Sequence, residues 1–315
     1  MLALLGHVIL PVFGLIALGF LLRRRGILTA TGSRELGQLL YWVCLPAQLV
    51  VLTSRVDVTR DFDPRMLGAV ALALLAGLVA GWRISARLPA AMRGCVLNGA
   101  ARANGAFIGL PVVDLAARAL APEQQAALVG TYAVLLGPTV ILFNIAAVTA
   151  FRLPHHGLSW SGVRQALADL PRSPLILGCA LGGILGAWSP GLLDGTVLGT
   201  VLALVAACAV PLALICAGVD LDLSHLRDHP RVIAATVALK LVLVPATTWA
   251  LCHLLGVDRN SAFCAVLLMA SPTAIASVPM ARLLGGDAGL MAALVTATTL
   301  TAPVTMLGWL LLVGP

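Results

Sequence analysis

Ten apolar runs, each close to the length that crosses a bilayer, follow one another along this chain and limit its fold more than any motif does. A helix needs about 20 residues to cross roughly 30 Å of hydrocarbon. The runs fall near 2–22, 35–53, 66–88, 93–117, 125–151, 174–191, 196–219, 231–255, 261–284 and 288–312. A chain that is 60% hydrophobic and 10% charged cannot hide that surface in one soluble core. The expected class is an all-α polytopic membrane protein with ten transmembrane helices. The longest loop, about 152–173, is too short to fold alone. The first run lacks a basic leader and is followed by Arg23, Arg24 and Arg25, so it reads as a retained helix rather than a cleaved signal peptide.

A net charge of +7 could suggest nucleic acid, but no basic face is interleaved with aromatics. The charge is topological instead. Thirteen arginines fall in the odd-numbered loops, against five (Arg55, Arg60, Arg65, Arg118 and Arg259) in the even-numbered ones. The positive-inside rule then puts both termini on the extracytoplasmic side.

Prolines recur between the halves of the chain. Pro11 and Pro174 are 163 residues apart, Pro46 and Pro211 165, and Pro138 and Pro303 also 165. Pro111 matches Pro279 at 168 or Pro272 at 161. Two repeats of five spans account for this, residues 1–152 and 174–315 joined by a cytoplasmic linker at 153–173. Five being odd, the second repeat enters the membrane inverted, the plan of secondary transporters whose sites form where discontinuous helices meet near the midplane. The fourth run supplies such a discontinuity. Asn98 to Pro111 holds two Asn, an Arg, three Gly and a Pro, and a helix broken near Gly105 to Pro111 is expected.

The run Asn104-Gly-Ala-Phe-Ile-Gly-Leu-Pro111, with Leu45-Pro46-Ala47, Lys240 ahead of Pro245, Ala270-Ser-Pro-Thr-Ala274 and Gly285-Gly286-Asp287, resembles the auxin efflux carrier family. That family includes plant hormone exporters and bacterial permeases for malonate or malate. The resemblance covers essentially the whole chain. It implies two inverted five-helix repeats, a scaffold of the first, second, sixth and seventh spans, and a mobile unit of the other six. It also implies that the broken fourth and ninth helices cross at the substrate site, and that transport is elevator-like. The ninth span carries two prolines, Pro272 and Pro279, and either could mark its break. The long cytoplasmic loop of the plant exporters is absent, which favours a short bacterial-type permease of the inner membrane.

Half-helix N-termini favour an anion, and a carboxylate is the expected guest. Asn104 and Gly105, with Pro111, would form one wall, and Ser271, Pro272, Thr273 and Ser277 the other. The competing reading is that these small polar groups only repair backbone bonds freed by proline. Lys240 is the only lysine, deep in an apolar run, where an ammonium costs roughly 2.5 to 3.5 kcal/mol on insertion scales. It is expected to attract the anion or to stand in for a coupling cation. Arg102 could pair with substrate or reach the cytoplasmic surface, and Asp114 is the first acid to consider for ion coupling.

No cofactor is expected, with H⁺ and Na⁺ both open as coupling ions. The seven cysteines all fall within spans without metal spacing, and no disulfide is expected. His155-His156 lacks the companions of a metal site, and Gly285-Gly286 lacks the Lys-Ser or Lys-Thr of a nucleotide loop. Gly178, Gly182 and Gly186 admit tight helix packing or a homodimer contact. The expected function is secondary transport of a small organic anion, such as a mono- or dicarboxylate, and the resemblance implies efflux. A sodium-coupled organic anion or bile acid symporter of the same fold and a non-transporting sensor or partner subunit are the alternatives. An enzyme is not expected, since Ser271 has no convincing base.

Overall fold

The computed structural model describes residues 5–55, 62–118, 120–156 and 173–314. Among them the helices are α1 (Leu10–Arg24), α2 (Ala30–Leu39), α3 (Leu45–Thr53), α4 (Pro64–Ile84), α5 (Ala90–Ala101), α6 (Leu110–Ala117), α7 (Pro122–His156), α8 (Pro174–Trp188), α9 (Val197–Ala207), α10 (Ala209–Val219), α11 (Pro230–Ala238), α12 (Val244–Leu254), α13 (Arg259–Ala270), α14 (Ser277–Leu284) and α15 (Ala288–Val313). Most of the expected linker, residues 157–172, lies outside the described residues.

Among the described residues seven helical stretches of 19 to 34 residues are long and apolar enough to cross a membrane, which makes this an integral, polytopic membrane protein. Three of the expected runs differ. Run 174–191 is helical only to Trp188, because Pro190 and Gly191, at φ 76°, turn the chain away. Runs 93–117 and 261–284 are each split in two, α5 stopping at Ala101 and α13 at Ala270.

Proline shapes the long helices in a repeated way. Among the described residues four π-helical turns, Leu5–Ile9, Leu40–Cys44, Gly105–Gly109 and Leu239–Leu243, each lead into a helix whose second residue is proline: Pro11, Pro46, Pro111 and Pro245. A proline ring clashes with the carbonyl four residues back and cannot bond to it, and one wider turn relieves the clash without ending the helix. The carbonyl that Pro245 leaves open, on Leu241, accepts from the Trp309 indole Nε1 at 2.9 Å.

Close packing comes from glycine. A Cβ on Gly19 of α1 or Gly218 of α10 would strike the other helix's backbone, so these two helices touch main chain to main chain. Gly178 and Gly182 of α8 face Pro46, Val50 and Thr53 of α3 in the same way, so that stripe is used inside the chain. At the centre lie α5 and α13. Every residue from Gly94 to Ala101 and from Ser261 to Ala270 is buried, as in a helix surrounded by protein on all sides.

Candidate functional site

The two interruptions meet. α5 and α13 are both 12 residues long and start 169 residues apart. Beyond α5 the chain is extended at Arg102 (φ −84°, ψ 112°), and beyond α13 at Ser271 (φ −61°, ψ 144°). The two extended stretches pair antiparallel at Ala103 and Thr273. The Asn104 amide donates to the Pro272 carbonyl at 2.8 Å and the Ala274 amide to the Arg102 carbonyl at 3.2 Å. Where water is excluded, backbone groups released from a helix need protein partners. Here each interruption supplies the other's.

The position of the first interruption corrects the sequence reading. Gly105 to Pro111 is wound, as a π-helical turn leading into α6, and the residues outside the helix are Arg102 to Asn104. Pro111 is accommodated by the wide turn and does not stop the helix. In the second half, Pro272 lies in the interruption and Pro279 inside α14.

A cavity of about 410 Å³ opens at this crossing. Arg102, Asn104 and Gly105 line it from the first interruption, and Ala274, Ile275 and Ala276 from the second. Helix α2 and the turn after it contribute one face, with Arg34, Gln38 and Tyr41 at helical spacing. Trp42, Phe107 and Phe143 make much of the rest apolar.

The polar groups have few protein partners. Asn104 is 4% exposed, and its Nδ2 has no hydrogen-bond acceptor among the described residues. The Arg102 guanidinium donates to the Met280 thioether, and no carboxylate among the described residues pairs with it. The helical turn beginning at Gly105 brings its first amides, which lack helical acceptors, to the cavity edge. Asp220 lies at the end of α10, open to the cavity, and accepts from the Ser33 hydroxyl at 3.0 Å. Crowding by the surrounding protein raises its carboxyl above the ordinary 3.8, while Ser33, Arg23 and Arg34 oppose the shift.

Of the residues expected from sequence, Asn104, Gly105 and Arg102 line the cavity together, and the others do not. Pro111 is buried at the start of α6. Ser271 Oγ donates to the Leu267 carbonyl at 3.0 Å, and Thr273 Oγ1 to the Gly99 carbonyl at 2.8 Å. Pro272 presents its carbonyl to Asn104, and Ser277 is buried with its hydroxyl unpartnered among the described residues. Lys240 is wholly buried against the Met269 carbonyl. Asp114 pairs with Arg118 at 3.0 Å, one turn along its own helix.

Tyr132 of α7 was not anticipated. Its buried hydroxyl donates to the Gly105 carbonyl at 3.0 Å, beside the cavity. Gly109 leaves room for it, since a Cβ there would collide with Tyr132 Oη and Ser271 Oγ. The one sequence signal was a tyrosine in a chain with only two.

A family model described as "Membrane transport protein" matches residues 158–310, which take in α8 to α14 and most of α15. No curated protein matches the chain.

Proposed function

Residues 158–310 carry the domain of the auxin efflux carrier family, a family of membrane transporters rather than enzymes, and from that premise we propose a secondary transporter of a small organic anion. The guest is a mono- or dicarboxylate, and its direction is outward. In this reading the ten spans form two inverted repeats, residues 1–152 and 174–315, with α5–α6 and α13–α14 as the broken fourth and ninth helices. The membrane is the bacterial inner membrane, with both termini on its extracytoplasmic side.

One observation carries the reading: the cavity sits at the meeting point of the two interruptions and holds Arg102 with no carboxylate among the described residues paired to it, Asp220 on the same cavity being bonded to Ser33. A guanidinium at membrane depth needs an anionic partner, and a substrate carboxylate provides one. Asn104 Nδ2 and the first amides of the Gly105 turn add donors on the same side. Trp42, Phe107 and Phe143 offer the remainder of the guest an apolar wall. Packing of α1 on α10 and of α8 on α3 supports a fixed scaffold. Backbone bonds joining the two interruptions support an elevator in which they travel together.

Counterflow in proteoliposomes, across organic acids including malonate and malate, tests the proposal. Substrate-dependent exchange that falls in Arg102→Gln and Asn104→Ala supports it. Binding without exchange would indicate a sensor, and neither binding nor exchange across the series would refute the anion site.

A further inference from the structure

Lys240 donates to the Met269 carbonyl at 2.7 Å and is fully buried. In an unbroken helix that carbonyl would accept from the Thr273 amide. The chain leaves the helix at Ser271, and the Thr273 amide donates instead to Thr298 Oγ1 at 3.1 Å. Met269 therefore presents an open carbonyl at the C-terminal end of a half-helix, where the aligned peptide dipoles leave partial negative charge. Among the described residues, no carboxylate pairs with Lys240.

The helix carrying Lys240 is shaped to deliver it. Lys240 lies in the π-helical turn Leu239–Leu243, and Trp309 holds the adjacent Leu241 carbonyl at 2.9 Å. Lys240 does not line the cavity, and its amine reaches the backbone of the crossing instead. In secondary transporters with discontinuous helices, open carbonyls at half-helix C-terminal ends are where Na⁺ is coordinated.

We propose that Lys240 is a tethered cation filling the ion position of the second interrupted helix, so that the crossing is completed without Na⁺. The proposal rests on the transport reading. Within it, Lys240 is a positioning residue: its tethered amine occupies the place of the ion and cannot dissociate from the chain, so no sodium gradient can be drawn upon through this position.

The test uses the purified full-length chain in detergent. Binding of radioactive sodium is measured, and melting temperature is compared in sodium chloride and choline chloride at equal ionic strength. Wild type is expected to show no saturable sodium binding and the same melting temperature in both salts. Lys240→Met, which keeps length and loses charge, is expected to melt several degrees lower in either salt. Lys240→Ser, which leaves an oxygen and space beside the Met269 carbonyl, is expected to bind sodium and to recover part of that loss in sodium alone.

Saturable sodium binding by wild type would overturn the proposal, as would a Lys240→Ser protein indifferent to sodium. If Lys240→Ser does not fold, the wild-type binding result decides. None of these measurements needs substrate or flux, so a failure of counterflow would count against the transport reading and not be mistaken for a result on Lys240.

Discussion

The hydroxyl of Thr273 donates to the carbonyl of Gly99, 2.8 Å away and 174 positions earlier in the chain. That carbonyl belongs to the last turn of α5, where the helix has stopped providing donors. A side chain from one half thus closes a backbone gap in the other. Thr273→Val keeps the shape and removes the donor, leaving a buried acceptor unpaired at a cost of about 1–3 kcal/mol. A lower melting temperature for Thr273→Val, with Thr273→Ser close to wild type, is the expected result.

Asn104 Nδ2, beside the cavity, has no acceptor among the described residues. If it meets a carboxylate, Asn104→Ala forfeits a hydrogen bond to a charged group, about 1.5–3 kcal/mol, or roughly ten- to hundredfold in affinity. Counterflow should show that loss while membrane insertion and melting temperature stay near wild type. Unchanged kinetics would reduce Asn104 to a packing residue.

Arg102 should be less replaceable than its charge suggests. A lysine keeps the charge but not the planar fork that holds a carboxylate by two parallel bonds. Arg102→Lys is expected to weaken stabilisation by organic acids in a thermal-shift series, and Arg102→Gln to abolish it. Equal responses in Arg102→Lys and wild type would mean that charge alone matters.

Gly109 is constrained by what lies against it. A methyl group there meets Tyr132 Oη and Ser271 Oγ, so Gly109→Ala is expected to destabilise by about 1–3 kcal/mol. Removing the hydroxyl in Gly109→Ala/Tyr132→Phe should recover part of the loss. A double variant no more stable than the single one would place the collision elsewhere.

Asp220 predicts a pH dependence whose sign is fixed. Its carboxyl is raised above 3.8, so the folded protein holds this proton where the unfolded chain has released it. Asp220 therefore contributes stability that is lost as pH rises from 3.8 through the raised value. The proton also removes a negative charge from the cavity. Affinity for an organic anion should rise as pH falls through the same window, with Arg23 and Arg34 nearby unchanged in charge. Titrating binding in wild type and Asp220→Asn checks this, and the variant should lose that component.

Composition and the spacing of apolar runs made the membrane class legible, because each helix must carry its own apolar surface. The prolines were legible as disturbances but not as to kind. Pro111 looked like a helix stop, yet a π-helical turn absorbs it, and the chain leaves the helix at Arg102 instead. The reason is nonlocal: the Arg102 carbonyl and the Asn104 amide find their partners on Ala274 and Pro272. The small hydroxyls were recognised as belonging to the crossing. The work of Thr273 is backbone repair, which the sequence offered only as the competing reading, whereas Ser271 bonds back to a Leu267 carbonyl that its own amide already uses. Lys240 stood out as a buried cation, but its acceptor is a main-chain atom in another helix, and main-chain atoms leave no mark in composition.

The pairing of Ala103 with Thr273 also bears on how the protein is made. Residues emerge from the ribosome at about 5–20 per second, so the first interruption waits roughly ten seconds or more for its complement. During that interval the early helices must shelter an unfinished centre, with translocon, water or a chaperone holding what the later segment will take over. Ribosomes stalled before Pro272 should yield nascent chains that membrane proteases clear quickly, however well their first helices have inserted.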